Sequence, residues 1–221
     1  MFIGRDREVL QLQRQLDRKA SSLIVCRGRR RIGKSRLIQE FSKKFDTFIE
    51  IQGLAPRKGI DKKAQLINFR EQLSEAYSLK TDEFSNWTEA FASLDEASAN
   101  GSVLILLDEI SWMSANEPDF VGKLKIAWDK KFSKNANLML VLCGSVTSWI
   151  DENILNGSDF MGRISLTLSL SPLRLPECNA FWGVNRDHTS SHEKLKVLSV
   201  IGGIPRYLEL IQPGESADMM V

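Results

Sequence analysis

The feature that most restricts this chain is a glycine-bounded basic loop, Gly28-Arg29-Arg30-Arg31-Ile32-Gly33-Lys34-Ser35, set between two apolar patterns of different period. It is entered from the run Leu23-Ile24-Val25-Cys26, which has the length of a buried strand. Beyond it Leu37, Ile38, Phe41 and Phe45 fall on one helix face, with Arg36, Gln39, Glu40, Lys43 and Lys44 on the other. Strand, loop and helix in this order match the Walker A pattern G-x-x-x-x-G-K-[ST] at every specified position. Such a loop turns its backbone N–H groups inward at a helix N-terminus and forms a concave anion site. Gly28 through Arg36 are therefore the candidate phosphate-binding residues. Lys34 would reach the β- and γ-phosphates of a nucleoside triphosphate, and the Ser35 hydroxyl would meet Mg²⁺, which prefers hard oxygen ligands. Arg29, Arg30 and Arg31 either add positive potential there or are simply solvated.

The rest of the chain alternates the same two periods. Val9, Leu12 and Leu16 predict a helix over 6–19, so that the loop's strand is the second element. Thr47–Ile51 reads as a strand, Leu66, Phe69, Leu73 and Tyr77 as a helix, and Trp87, Phe91 and Leu94 as another that ends at Asn100-Gly101. Val103–Leu107 and Leu138–Cys143 are unbroken apolar runs, the pattern of parallel strands covered on both faces. Between them Val121, Leu124, Trp128 and Phe132 mark a helix, and Ile164–Leu168 supplies a last strand. After Pro172 and Pro176 the reading changes to short helices at 175–182, 193–201 and 205–211. The expectation is an α/β domain with a parallel sheet over 1–171, followed by a small helical unit over 172–221.

Asp108 and Glu109 stand directly after the Val103–Leu107 run, a hydrophobic strand ending in two acids. Ligands of open parallel sheets bind outside the carboxyl ends of the strands, so Asp108 there could hold Mg²⁺ beside Ser35 and Glu109 could polarise an attacking water. Gly144-Ser145-Val146-Thr147 ends the next apolar strand at the same edge. Ser145 is a candidate γ-phosphate sensor or, alternatively, the N-cap of a following helix.

Composition closes off other classes. A net charge of +2 over 221 residues gives no whole-chain electrostatic case for nucleic acid, whose binding stays open. Cys26, Cys143 and Cys178 lack C-x-x-C spacing and read as buried reduced thiols, which makes the cytoplasm the default compartment. The N-terminus is too charged for a secretory signal, and no apolar run approaches the ~20 residues that span a bilayer, so no membrane partner is expected. His188 and His192 have H-x₃-H spacing but lie in a polar Ser/Thr stretch with no second ligand pair, and read as a loop. The five tryptophans read as packing residues.

Phe2-Ile3-Gly4-Arg5-Asp6-Arg7-Glu8, the Walker A loop, Leu106-Leu107-Asp108-Glu109, Leu142-Cys143-Gly144-Ser145, Gly162-Arg163 and Gly202-Gly203-Ile204-Pro205-Arg206-Tyr207-Leu208 together resemble the archaeal-type AAA+ ATPases, close to the STAND signalling ATPases. The resemblance covers nearly the whole chain. It implies a P-loop NTPase αβα sheet of order 5-1-4-3-2 with a helical lid, ATP and Mg²⁺ as ligands, and Gly4, Arg5 and Pro205 near the adenine. It also implies Arg163 as an arginine reaching the γ-phosphate of a neighbouring subunit in a homo-oligomer, against the plain reading of an exposed residue before a strand. Relatives continue into a C-terminal effector domain, so the chain reads as part of a longer member or as an unusually short one. The functional expectation is an Mg-dependent ATPase driving an attached module or protein partner. A slow STAND-like nucleotide switch and a P-loop small-molecule kinase are the alternatives.

Overall fold

A computed structural model describes residues 2–77, 83–114 and 117–212, with the backbone alone at Tyr77. Five parallel strands form one sheet: β1 (Ser22–Arg27), β2 (Thr47–Gln52), β3 (Val103–Asp108), β4 (Leu138–Gly144) and β5 (Ile164–Ser169). Their order is β2-β3-β4-β1-β5, the expected 5-1-4-3-2 read from the other edge. The central strands β3 and β4 are buried along their whole length and β1 along all but its last residue, which is why their sequences are continuous apolar runs. The edge strands β2 and β5 include polar residues between their apolar ones.

Because side chains alternate across a strand, each central strand feeds two cores. Leu23, Val25, Ile105, Leu107, Leu140 and Leu142 face α3 (Lys62–Tyr77), α4 (Trp87–Ala97) and α6 (Phe120–Lys130). There Trp87 packs edge-on against Phe69 at 5.6 Å and Phe120 at 4.8 Å, and stacks on Phe91 at 5.6 Å. On the opposite face Ile24, Cys26, Leu104, Leu106, Val141 and Cys143 meet Leu12 of α1 (Asp6–Asp17) and Leu37, Ile38 and Phe41 of α2 (Lys34–Ser42). Cys26 and Cys143 are register partners on adjacent strands. The Cys26 thiol, followed by burial, pushes Cys143 well above the ordinary thiol range, and all three cysteines are free.

Several element ends differ from the sequence expectation. α1 stops at Asp17, with Lys19 in a left-handed conformation at φ 49°. Phe45 lies outside α2, in a turn closed by its N–H on the Ser42 carbonyl, and still packs on Phe41 at 5.9 Å. α4 ends at Ala97 because the Ser98 hydroxyl and N–H both close back on Asp95, while Gly101 (φ 75°) makes the later turn into β3. Lys131 (φ −128°, ψ −77°) breaks α6 and turns Phe132 into the core from a separate tight turn.

Short helices follow: α5 (Ile110–Met113) and α7 (Thr147–Ile150) after β3 and β4, then α8 (Leu175–Cys178), α9 (Ser191–Ile201) and α10 (Pro205–Leu208) beyond β5. The expected helix over 175–182 is split at Cys178, and Trp182 sits in a tighter turn that follows. This C-terminal appendage has its own small cluster of Leu173, Cys178, Trp182, Val197 and Leu208. His188 lies in the turn before α9 and His192 in its first turn. The part of the expected second unit over 213–221 lies outside the described residues.

Candidate functional site at the carboxyl edge of the sheet

Register brings the ends of the strands level: Arg27 pairs with Gly144 and Ser169, and Gln52 with Asp108. Gly28 leaves β1 with φ 151°, and an added Cβ would meet the Leu170 carbonyl oxygen at 2.7 Å, so a side chain is excluded there. Gly33 opens α2 with φ 88°, a conformation that costs glycine nothing. Directly after Gly33, Lys34, 6% exposed, curls back so that Nζ donates to the Gly28 carbonyl at 3.0 Å and the Arg29 carbonyl at 3.1 Å.

From this loop a hydrogen-bonded series runs across the sheet edge. Ser35 Oγ donates to Asp108 Oδ2 at 2.6 Å, and the Glu109 N–H donates to Asp108 Oδ1 at 2.9 Å. The Ser145 N–H and Oγ then donate to Glu109 Oε2 at 3.1 and 2.9 Å. Ser145 therefore anchors Glu109, and the N-cap position of α7 is Val146 instead. Glu109 itself is left-handed (φ 50°, ψ 48°), an unusual state for a residue with a Cβ, and both acids are nearly buried. Burial pushes the nearby Glu50 carboxyl up, the Asp108 charge adds to this, and the Gln39 amide opposes it.

Two of the loop's arginines rest on aromatic rings. Arg30 lies over the Trp112 ring at 5.2 Å with Nε 3.5 Å from Ser145 Oγ. Arg31, left-handed at φ 66°, lies over the Tyr207 ring at 5.4 Å and donates to its hydroxyl at 3.1 Å. Both side chains remain largely exposed, as does Arg36 on the first turn of α2. A cleft of about 490 Å³ is lined by Arg30, Lys34, Ser35, Asp108 and Glu109 below and by Pro205 and Arg206 of α10 above. Pro205 Cγ would lie 3.7 Å from a Cβ at Gly33.

Gly4 and Arg5 act on this loop from behind. Arg5, 5% exposed, donates through its guanidinium to the Ile32 carbonyl at 3.0 Å and to Glu8 at 3.3 Å, and through its backbone N–H to Glu177 Oε1 of α8 at 3.1 Å. Gly4 (φ 69°) is pressed against the same carboxylate, since a Cβ would meet Glu177 Oε1 at 2.7 Å. A second cleft of about 580 Å³ opens on that side, between α1, β5 and Arg174.

Arg163 does not approach this chain's own phosphate loop. It precedes Ile164, which pairs with Leu23 at the start of β1, whereas the loop follows the end of that strand. Its guanidinium grips Asp129 with two bonds, Nε to Oδ1 at 2.6 Å and Nη2 to Oδ2 at 2.9 Å, and Nη1 donates to the Met161 carbonyl. Conversely, Gln52, Glu209 and Trp112 border the cleft or hold its arginines outside any motif, and Arg206 and Tyr207 do so from the Gly202–Leu208 segment, where no role was expected of them. Position gives two of them away: Gln52 ends a strand at the same edge as Asp108, and Arg206 directly follows Pro205.

Residues 2–211 match the family model of an ATPase domain found predominantly in Archaea. A curated protein of Methanocaldococcus jannaschii, described only as uncharacterized, is 24% identical over 215 residues, 96% of this chain and 44% of that protein. This chain thus spans less than half the length of that relative. Among solved structures, the Walker-type ATPase of Pyrococcus abyssi superposes with a TM-score of 0.70 at 18% identity, over 95% of this chain and 66% of the other. The ORC2 protein of Aeropyrum pernix gives 0.63 at 16%, over 94% and 61%. A STAND protein of Pyrococcus horikoshii with a tetratricopeptide repeat sensor gives 0.55 at 18%, over 95% and 29%. These likenesses show a P-loop NTPase fold, and with the match along nearly its full length the chain belongs to the family of ATPase domains found predominantly in Archaea.

Proposed function

We propose that this chain binds MgATP at the Gly28–Ser35 loop and hydrolyses it, moving the C-terminal appendage as a lid together with whatever module or partner is attached. The observation that carries this reading is the unbroken series Ser35–Asp108–Glu109–Ser145, which joins the loop to the ends of β3 and β4. The residues suit the ligand. Lys34 is a buried cation held at the loop mouth, among the described residues, by the Gly28 and Arg29 carbonyl oxygens, partners that an anionic phosphate outcompetes. Ser35 and Asp108 offer two hard oxygens within hydrogen-bond distance of each other, a small donor set suited to Mg²⁺, which fills its remaining positions with water and phosphate. Bound Mg²⁺ would neutralise charge on the transferring phosphoryl group. Glu109, fixed through one oxygen by Ser145, takes the proton of the attacking water, and the anchored carboxylate loses little freedom in doing so. Pro205 and Arg206 close the cleft over the base, and Arg5 acts indirectly by holding the Ile32 carbonyl of the loop.

Single-turnover release of γ-phosphate tests this. The parent chain should release phosphate to water, and Glu109→Gln should bind MgATP with unchanged affinity while turnover falls ~10²-fold or more, the loss expected on removing a general base. Phosphate retained on the nucleotide would identify a switch, and phosphate appearing on an added acceptor would identify a kinase.

A further inference from the structure

Arginines that stabilise phosphoryl transfer must place a guanidinium at the γ-phosphoryl group. Arg163 is engaged elsewhere, at the amino-terminal edge of the sheet and two bonds deep in Asp129. Given the length of β1, about 17 Å of strand separates the two edges at ~3.3 Å per residue. The loop supplies an alternative within the same chain. Arg30 is the only one of its three consecutive arginines tied to the acid end of the cleft: Arg29 contributes its carbonyl to Lys34, and Arg31 is turned to Tyr207 of α10. Arg30 instead has Nε 3.5 Å from the hydroxyl of Ser145, the residue that fixes Glu109.

Its platform is built into the fold. Trp112 lies on α5, whose N-cap is Glu109 itself, and the Trp112 N–H closes on the Glu109 carbonyl at 2.8 Å. The Trp112 carbonyl is gripped by Gln65, a buried amide that also bonds both the N–H and carbonyl of Leu54. The ring that carries Arg30 is thus mounted on the same turn as the candidate base, and a guanidinium on an aromatic face keeps its donors for an anion.

We propose that Arg30 is a catalytic arginine supplied in cis, donating to the γ-phosphoryl oxygens as charge develops on them, with Trp112 as its positioning residue. The proposal rests on ATP hydrolysis at this site. Water adds to the γ-phosphorus, the bond to the β,γ-bridging oxygen breaks with its electron pair leaving on ADP, and Glu109 takes the water's proton. Arg30 transfers no atom and acts through hydrogen bonds that strengthen in the transition state.

Two readouts test it on the full chain. By calorimetry, Arg30→Ala should bind a non-hydrolysable MgATP analogue within about threefold of the parent but lose ~10²-fold or more in affinity for ADP with magnesium and aluminium fluoride, a transition-state mimic. In turnover, Arg30→Ala should fall by a similar factor, guanidinium ion should restore part of that loss and none of the loss in Glu109→Gln, and Trp112→Leu should show a smaller defect of the same kind. Turnover per subunit should not vary with protein concentration. Mimic affinity and turnover of Arg30→Ala both within about threefold of the parent overturn the proposal while leaving the hydrolysis reading intact. A parent chain that binds MgATP without hydrolysing it overturns both.

Discussion

The carboxyl edge of the sheet and the C-terminal appendage meet across one cleft, yet they are built differently. At the sheet edge every key side chain is fixed by strand register and by bonds to another member of the site, over two cores of fully buried residues. The appendage holds together around a handful of buried residues and leaves Leu175, Val184, Leu195 and Val200 exposed. It reaches the loop through individual contacts, Glu177 to Arg5, Tyr207 to Arg31 and Pro205 beside Gly33. A preassembled floor under a lightly attached roof is what a site needs if chemistry demands fixed geometry while ligand entry demands movement.

The sharpest way to break this comparison is to damage each core in turn. Trp87→Ala should lower the stability of the main unfolding transition by about 3–5 kcal/mol, because a large ring is removed from an aromatic cluster with no room to collapse. Trp182→Ala should leave that transition nearly in place and instead expose the appendage to proteolysis, since its cluster is separate. Equal losses in urea titrations of the two variants would mean that both regions unfold as one unit.

Next in size is Ser145→Ala. It removes the hydroxyl bond to Glu109 but keeps the backbone N–H bond, so turnover should fall by about tenfold, less than in Glu109→Gln. A loss as large as that of Glu109→Gln would give Ser145 a direct contact with phosphate.

The smallest effect lies at the far edge. The Arg163 guanidinium, helped by Lys125 and against the effect of burial, holds the Asp129 carboxyl at about 2. Since the folded value is below the unfolded one, this pair contributes fully above about pH 4, and its contribution is lost as pH falls through about 2. Arg163→Ala and Asp129→Asn should therefore flatten the acid limb of the stability profile slightly and leave turnover unchanged, as expected of an ion pair whose side chains are 30% and 31% exposed. A fall in turnover in Arg163→Ala would support a role at a neighbouring subunit's site.

The same contrast governs what could be read in the sequence. The parallel strands and the positions of Lys34, Ser35, Asp108 and Glu109 follow from local signals, because a buried parallel strand is a continuous apolar run and its last residue is where ligands bind, whereas the strand order is implied only by the family resemblance. The partners of Arg30, Arg31 and Arg5 are Trp112, Tyr207 and the Ile32 carbonyl, and these contacts depend on how distant elements pack, so no spacing announces them. Helix ends failed for a related reason: Ser98 and Lys131 stop their helices through local bonds and dihedrals that hydrophobic periodicity does not record. Ser145 is legible as a residue at the right edge, but its bond to Glu109 Oε2, and Val146 taking the N-cap position, have no local signal.

The central claim is that the Gly28–Ser35 loop holds the phosphates of MgATP, and calorimetric titration of MgATP into the parent and Lys34→Ala chains tests it most directly. Lys34 is the buried cation of the loop, and among the described residues its partners to give up are two carbonyls. The account predicts saturable binding to the parent and a loss of ~10²-fold or more in Lys34→Ala at unchanged thermal stability, as expected on removing a charged hydrogen-bond donor from a phosphate site. Equal affinity in the two proteins would contradict it.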